Sequence, residues 1–267
     1  MSADTLSHFP AEAGIALDEY LTALDRALPG SVTGVYLTGS AVLGDWQPGR
    51  SDLDILVVTE SALSDVNLAA LETLHATISG RPYRDAVYVP AAGVGARDDG
   101  IAYPAAVDGV FHRARHHPEP VLWATLDRHG LAVRGPEARE LNAAPDPAWL
   151  KEWNHGNLES YWRPWAADVR AMLAERDAVD PLPAYPVTWA ALGPGRLHAT
   201  ITSGQIISKT AAADYTARLL PRYTGLLHRA RRHRRGDDTT TFTVTDGRDA
   251  CDMIDAVADD AARLESK

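Results

Sequence analysis

Asp52 and Asp54 stand one residue apart at the head of the apolar run Ile55-Leu-Val-Val58. Leu53 to Val58 is rich in β-branched residues and predicts a buried strand. On a strand, side chains at i and i+2 share a face. Both carboxylates therefore point one way, and Leu53 points the other way into the core. Two carboxylates held side by side repel each other unless a cation lies between them. Mg²⁺ takes a few carboxylates together with substrate phosphate oxygens in an octahedral shell. The pair predicts a platform for a Mg²⁺–triphosphate.

Gly39-Ser40 lies about a dozen residues upstream, directly after the strand-like Val35-Tyr-Leu37. It opens a short helical stretch to about Asp45, so backbone N–H groups and a hydroxyl converge on one spot. Such a turn holds phosphate oxygens. Gly39 has no Cβ to keep the backbone away. A lone Asp-x-Asp or a lone Gly-Ser is common. A strand ending in Gly-Ser, followed at this spacing by Asp-x-Asp inside an apolar strand, is far more specific.

Several elements must position these groups. Leu17, Tyr20, Leu21, Leu24 and Leu28 recur at helical spacing, ended by Pro29-Gly30. Leu63 to Ile78 predicts a helix with Leu71, Leu74 and Ile78 on one face. Asp85 to Val89 predicts a third strand, stopped by Pro90. Ala91 to Ala106, rich in Gly, Ala and Pro, reads as a loop. Val110 to Ala114 predicts a strand, Pro120 to Arg128 a helix and Leu131 to Val133 a strand. This is an α/β (α+β) domain with a mixed sheet.

The pattern then turns helical. Helices are expected at Ala148 to Glu175, Val187 to Thr202, Ala211 to Leu220, Arg222 to His233 and Asp246 to Leu264. The expected organisation is a catalytic domain over residues 1–143 and an all-helical domain over 144–267.

Composition bounds the function. With 36 acidic against 26 basic side chains, the 267-residue chain carries a net charge of −10. That argues against a general nucleic-acid binder, which needs a basic face. It suits a cationic partner, though an acidic surface is also simply a soluble one. One cysteine, Cys251, excludes an intrachain disulfide and a thiolate zinc site. Met1-Ser-Ala-Asp lacks a charged segment followed by an apolar core, so no signal peptide is predicted. Apolar stretches such as Ile55 to Val58 are too short to span a bilayer. A cytoplasmic location is expected, and no membrane partner.

The Tyr36 to Val58 segment resembles the polymerase-β-type nucleotidyltransferase superfamily, and more closely the aminoglycoside nucleotidyltransferases that adenylylate streptomycin and spectinomycin. Gly204-Gln-Ile-Ile-Ser-Lys-Thr-Ala-Ala-Ala-Asp-Tyr215, then Arg218-Leu-Leu-Pro221, resembles the helical-domain signature of those enzymes. Leu131-Ala-Val-Arg-Gly-Pro136 resembles the strand and stop that precede that domain. The likeness spans most of residues 30–235.

The resemblance implies that the chain is a Mg²⁺-dependent adenylyltransferase moving AMP from ATP to a hydroxyl of a small acceptor, releasing pyrophosphate. It implies that Gly39 and Ser40 hold the β/γ-phosphates and that Asp52 and Asp54 bind Mg²⁺. Asp85 falls where the family places a third carboxylate. In close relatives that residue is Glu and acts as general base. The shorter Asp85 is expected either to deprotonate the acceptor through a water or to serve as a third metal ligand. Lys209 and Arg196 match helical-domain cations near the triphosphate, where a Lys would neutralise charge on the leaving pyrophosphate. The family carries a Trp and an acid that bind the drug in its helical domain; the matching stretch here, Asp180 to Arg196, holds no carboxylate in its interior. Its Pro181, Pro183 and Pro186 read as a loop. Two other readings are a different metabolite or protein acceptor and a nucleotide-binding toxin–antitoxin partner.

Three other clusters are expected to be solvated or structural. These are the histidines of His112 to His117, the basic run His228 to Arg235, and the aspartates Asp249, Asp252, Asp255 and Asp259 of the last helix.

Overall fold

A computed structural model describes residues 10–97, 100–117 and 119–265. The segment read above for a signal peptide, Met1 to Asp4, lies outside the described residues. The chain divides into two compact units, Met1–Pro145 and Asp146–Lys267.

The first unit is built on a six-stranded mixed sheet of order β5-β4-β3-β2-β1-β6. Its elements in chain order are α1 (Ala11–Ala27), β1 (Val32–Leu37), α2 (Gly39–Val42), β2 (Leu53–Thr59), α3 (Asp65–Thr77) and β3 (Arg84–Pro90). They continue with β4 (Tyr103–Val107), β5 (Val110–His116), α4 (Pro120–His129) and β6 (Leu131–Arg134). β2 and β3 run parallel, and the other neighbours are antiparallel. α1 buries Leu17, Tyr20 and Leu24, and α3 buries Leu71 and Leu74. These pack on Leu53, Ile55 and Val57 of β2 in one apolar cluster. Alternation along β2 thus sends Leu53 into the core and leaves Asp52 and Asp54 on the opposite face. Ser64 caps α3 reciprocally with Asn67.

The segment Ala91 to Ala106 is not all loop, because its last residues form β4. Tyr103-Pro-Ala-Ala-Val has weak strand propensity. Pairing supplies the strand instead, with Val87 opposite Ala105 and Ala105 opposite His112. A register shift between Tyr103 and Ala105 absorbs Pro104.

The second unit carries α5 (Pro147–Asn157), a π-helical turn at Leu158–Trp162 and α6 (Arg163–Leu173), which follow one another without a break. The helix expected over Val187 to Thr202 is two, α7 (Ala184–Leu192) and α8 (Pro194–Ser203). Pro194 has no N–H to continue a helix and suits a first position. A Cβ on Gly193 would lie 2.3 Å from the Trp162 ring. The prolines expected in a loop are ordered otherwise: Pro181–Leu182 is a short strand, β7, and Pro186 sits in the first turn of α7. Prolines are tolerated there because those N–H groups lack intrahelical partners. The unit ends with α9 (Lys209–Leu219), α10 (Thr224–Arg234), β8 (Phe242–Thr243) and α11 (Val244–Glu265). Its core gathers Trp162, Leu192, Leu227, Phe242, Ile254 and Val257. No helix among the described residues is long and apolar enough to cross a membrane.

Candidate active site

The parallel pairing of β2 and β3 puts Asp54 opposite Asp85. Asp52 lies one residue ahead of β2, so three carboxylates of the sequence reading meet at the leading ends of two adjacent strands. Asp52 accepts from the backbone N–H of Tyr83 at 2.9 Å and from Arg81 at 3.1 Å. The Arg81 guanidinium lies 4.5 Å from the centre of the Tyr83 ring. Asp85 Oδ1 is buried with no hydrogen-bond partner. Burial first, then the charges of Asp54, Asp52 and Asp108, push the Asp85 carboxyl up to about 7.

Gly39 and Ser40 begin α2, directly after β1. Gly39 has φ +60°, and a Cβ there would fall 1.7 Å from Asp54 Oδ2. The turn can therefore close on Asp54 only with glycine at this position. Thr38 donates its backbone N–H and its hydroxyl to the Asp54 carbonyl, at 2.9 and 3.3 Å. The approach of the Gly-Ser turn to the carboxylates is fixed by backbone as well as packing.

Among the described residues, Asp52, Asp85 and Asp108 form a group whose carboxylate oxygens lie within 4.8 Å of one another. Asp54 stands beside that group with its carboxylate against Gly39. Asp108 was not legible as a site residue. Asp108-Gly109 is a turn dipeptide between short apolar runs, but the preceding strand was hidden by its Pro and Ala content. Arg84 was also missed. It is 5% exposed. It donates to the carbonyls of Ile78, Gly80 and Pro82 at 3.2, 2.9 and 3.2 Å and pairs with Glu19 of α1. It thereby fixes the loop that leads into Asp85.

Arg196 and Lys209 belong to the second unit. Arg196 Nε donates to the Ile207 carbonyl at 3.1 Å, which ties α8 to the segment just before Lys209. Lys209 is the first residue of α9, whose N-cap Ser208 accepts from the Ala211 N–H. A cation at a helix N-terminus opposes the helix dipole, so this lysine and the N–H groups around it favour an anion together.

The other clusters are largely satisfied within their own units. In the basic run, Arg229 pairs with Asp246, Arg231 with Asp214 and Arg232 with Asp237. His233 shares a hydrogen bond with Thr188 at 2.8 Å. On α11, Asp252, Asp255 and Asp259 pair with Arg163 and Arg170 of α6. Arg113 of β5 pairs with Glu72 and Asp65.

Comparison with known proteins identifies both parts of the chain. Residues 17–93 match the nucleotidyltransferase domain model, and residues 158–263 match the C-terminal domain of the aminoglycoside adenylyltransferases. No curated protein matches the sequence. Among solved structures, the chain is similar to spectinomycin adenyltransferase AAD(9) from Enterococcus faecialis, crystallised with ATP and spectinomycin. The TM-score is 0.68 and the identity 16%, over 93% of this chain and 99% of that one. At that identity the likeness is one of fold. The chain belongs to the nucleotidyltransferases, as an enzyme whose nucleotidyltransferase domain is followed by the C-terminal domain of the aminoglycoside adenylyltransferases.

Proposed function

We propose that this enzyme transfers AMP from Mg²⁺–ATP to a hydroxyl of an aminoglycoside-type acceptor and releases pyrophosphate. The observation that carries the reading is the convergence of Asp52, Asp54 and Asp85 beside the Gly39-Ser40 turn, in a chain with these two family domains. The ATP and spectinomycin bound to the structural neighbour support the choice of donor and acceptor class.

The residues suit a divalent cation. Their donors are carboxylate oxygens, which are hard ligands, and Asp85 keeps one buried oxygen without a partner. Asp52 and Asp54 would hold Mg²⁺, which when bound neutralises the triphosphate and polarises its oxygens. Gly39 and Ser40 hold the β- and γ-phosphates. Asp85 takes the proton of the acceptor hydroxyl as its oxygen bonds to the α-phosphorus. The bond from that phosphorus to the bridging oxygen breaks, and pyrophosphate leaves with the electron pair. By the family resemblance, Lys209 and Arg196 would supply nucleotide-binding cations, a Lys suiting the charge on leaving pyrophosphate. A carboxyl raised toward neutrality is suited to accept a proton near pH 7.

A second role for Asp85, as metal ligand, is favoured by its closeness to Asp52 and Asp108. Asp85→Asn separates the two. As base, the variant binds Mg²⁺–ATP like the parent and turns over about 10² to 10⁴ times more slowly. As ligand, it also binds Mg²⁺–ATP more weakly by calorimetry. Unchanged pyrophosphate release, measured with ATP and an aminoglycoside panel, would remove Asp85 from the chemistry. Absence of acceptor-dependent release across the panel would overturn the acceptor class.

A further inference from the structure

The β4–β5 hairpin closes with a two-residue turn, Asp108-Gly109, between the paired Val107 and Val110. Both turn residues have positive φ, +51° and +77°. Such a turn accepts Asn-Gly or Asp-Gly equally well, so its backbone alone does not require a charge at position 108. Asp108 is itself exposed, but its position brings its charge toward the carboxylates of the site. A Cβ on Gly109 would lie 2.9 Å from the Tyr83 ring, and the Asp108 N–H donates to the Asp85 carboxylate. The turn is thus seated against the strand ends that carry the site. From there the Asp108 carboxylate comes within 4.8 Å of the oxygens of both Asp52 and Asp85. A third carboxylate brought to such a pair raises the repulsion unless a cation is shared among them. An asparagine in place of Asp108 would keep the turn without that cost.

We infer that Asp108 supplies a carboxylate ligand to the divalent cation of this site, delivered by the hairpin turn from the far side of β3. The inference rests on the reading of Asp52 and its neighbours as a metal–triphosphate platform. It adds a ligand from a part of the chain outside the Gly-Ser and Asp-x-Asp segment. The turn also explains how Asp85, one methylene shorter than Glu, can serve a site of ordinary size. Asp108 reaches in from the opposite side and narrows the gap.

The test uses the full chain and Mn²⁺ alone, with free Mn²⁺ read by electron paramagnetic resonance. Asp108→Asn and Asp108→Gly are both compatible with positive φ, and an unfolding curve checks each fold. Asp52→Asn is the reference for loss of the platform. The expected result is Mn²⁺ binding by the parent, weakened about tenfold or more in both Asp108 variants and in Asp52→Asn. Parent-like Mn²⁺ binding by the Asp108 variants, with loss in Asp52→Asn, would overturn the inference and leave the platform standing. Parent-like binding in Asp52→Asn as well, or none by the parent, would overturn the platform and the inference with it.

Discussion

At the scale of single residues, one glycine sets how closely the Gly-Ser turn approaches the carboxylates. Gly39 combines φ +60° with a Cβ direction that ends 1.7 Å from Asp54 Oδ2. Gly39→Ala must therefore either displace Asp54 or change the backbone of the turn. The expected outcome is a drop in kcat/KM of about 10² or more, with destabilisation of only about 1–2 kcal/mol. Parallel pyrophosphate release and denaturant curves check this; parent-like turnover would show that the turn does not touch the nucleotide. Asp54→Asn is expected to abolish turnover without lowering the unfolding midpoint, since it removes repulsion from a crowded set of carboxylates. A midpoint several degrees lower would mean that the carboxylate holds the fold instead. Asp52, Asp54 and Gly39 were legible because their chemistry follows from local rules, a period of two along a strand and a φ that only glycine adopts freely. Asp108 and Arg84 were not. Asp108 meets Asp85 only through strand pairing, and Arg84 looks like any strand-edge cation until three carbonyls converge on it.

At the scale of elements, α3 and the sheet are joined by a polar chain inside the apolar core. His75 of α3 is 2% exposed. Its Nε2 lies 2.7 Å from the Tyr88 hydroxyl, which lies 2.9 Å from that of Tyr20 on α1. Burial, and next the charge of Arg84, push His75 down from 6.5 to about 4. The unfolded chain therefore takes up a proton at higher pH than the native one. The contribution of His75 to stability is full above about 6.5 and is lost as pH falls through about 4. His75→Gln keeps a hydrogen-bonding group and cannot titrate. Between pH 7 and pH 4 the unfolding free energies of parent and variant should draw together by on the order of 3 kcal/mol. Parallel stability–pH curves would show that His75 is not buried neutral. The long helices and the central strands were readable from period and from β-branched runs. β4, the break at Gly193-Pro194 and the placing of Pro186 were not. The first depends on partner strands. The others depend on which turn of a helix each proline enters, and the hydrophobic period of Val187 to Thr202 runs straight across the break.

At the scale of the whole molecule, charge would separate the two substrates proposed above. The net charge is −10, and the basic run of α10 pairs with acids of its own unit. It is therefore not a free cationic patch waiting for phosphate. Asp180, at the start of the stretch where drug-binding relatives carry a carboxylate, pairs with Arg176 at 3.4 Å. A cationic acceptor is then drawn first by the summed acidic field, whereas the anionic Mg²⁺–ATP approaches against it. Raising ionic strength from about 0.01 to 0.1 M shortens the screening length from about 30 to 10 Å. The two KM values should respond with opposite sign: KM for an aminoglycoside rises, and KM for ATP stays level or falls. Steady-state kinetics at fixed Mg²⁺ with an inert salt measures both in one series. A neutral hydroxyl acceptor such as a sugar, run as control, has no long-range attraction to lose and should keep its KM. If the aminoglycoside KM proves insensitive to salt while turnover persists, the acidic field plays no part in acceptor capture. Specificity then rests on short-range contacts alone, and the acceptor need not be a cation.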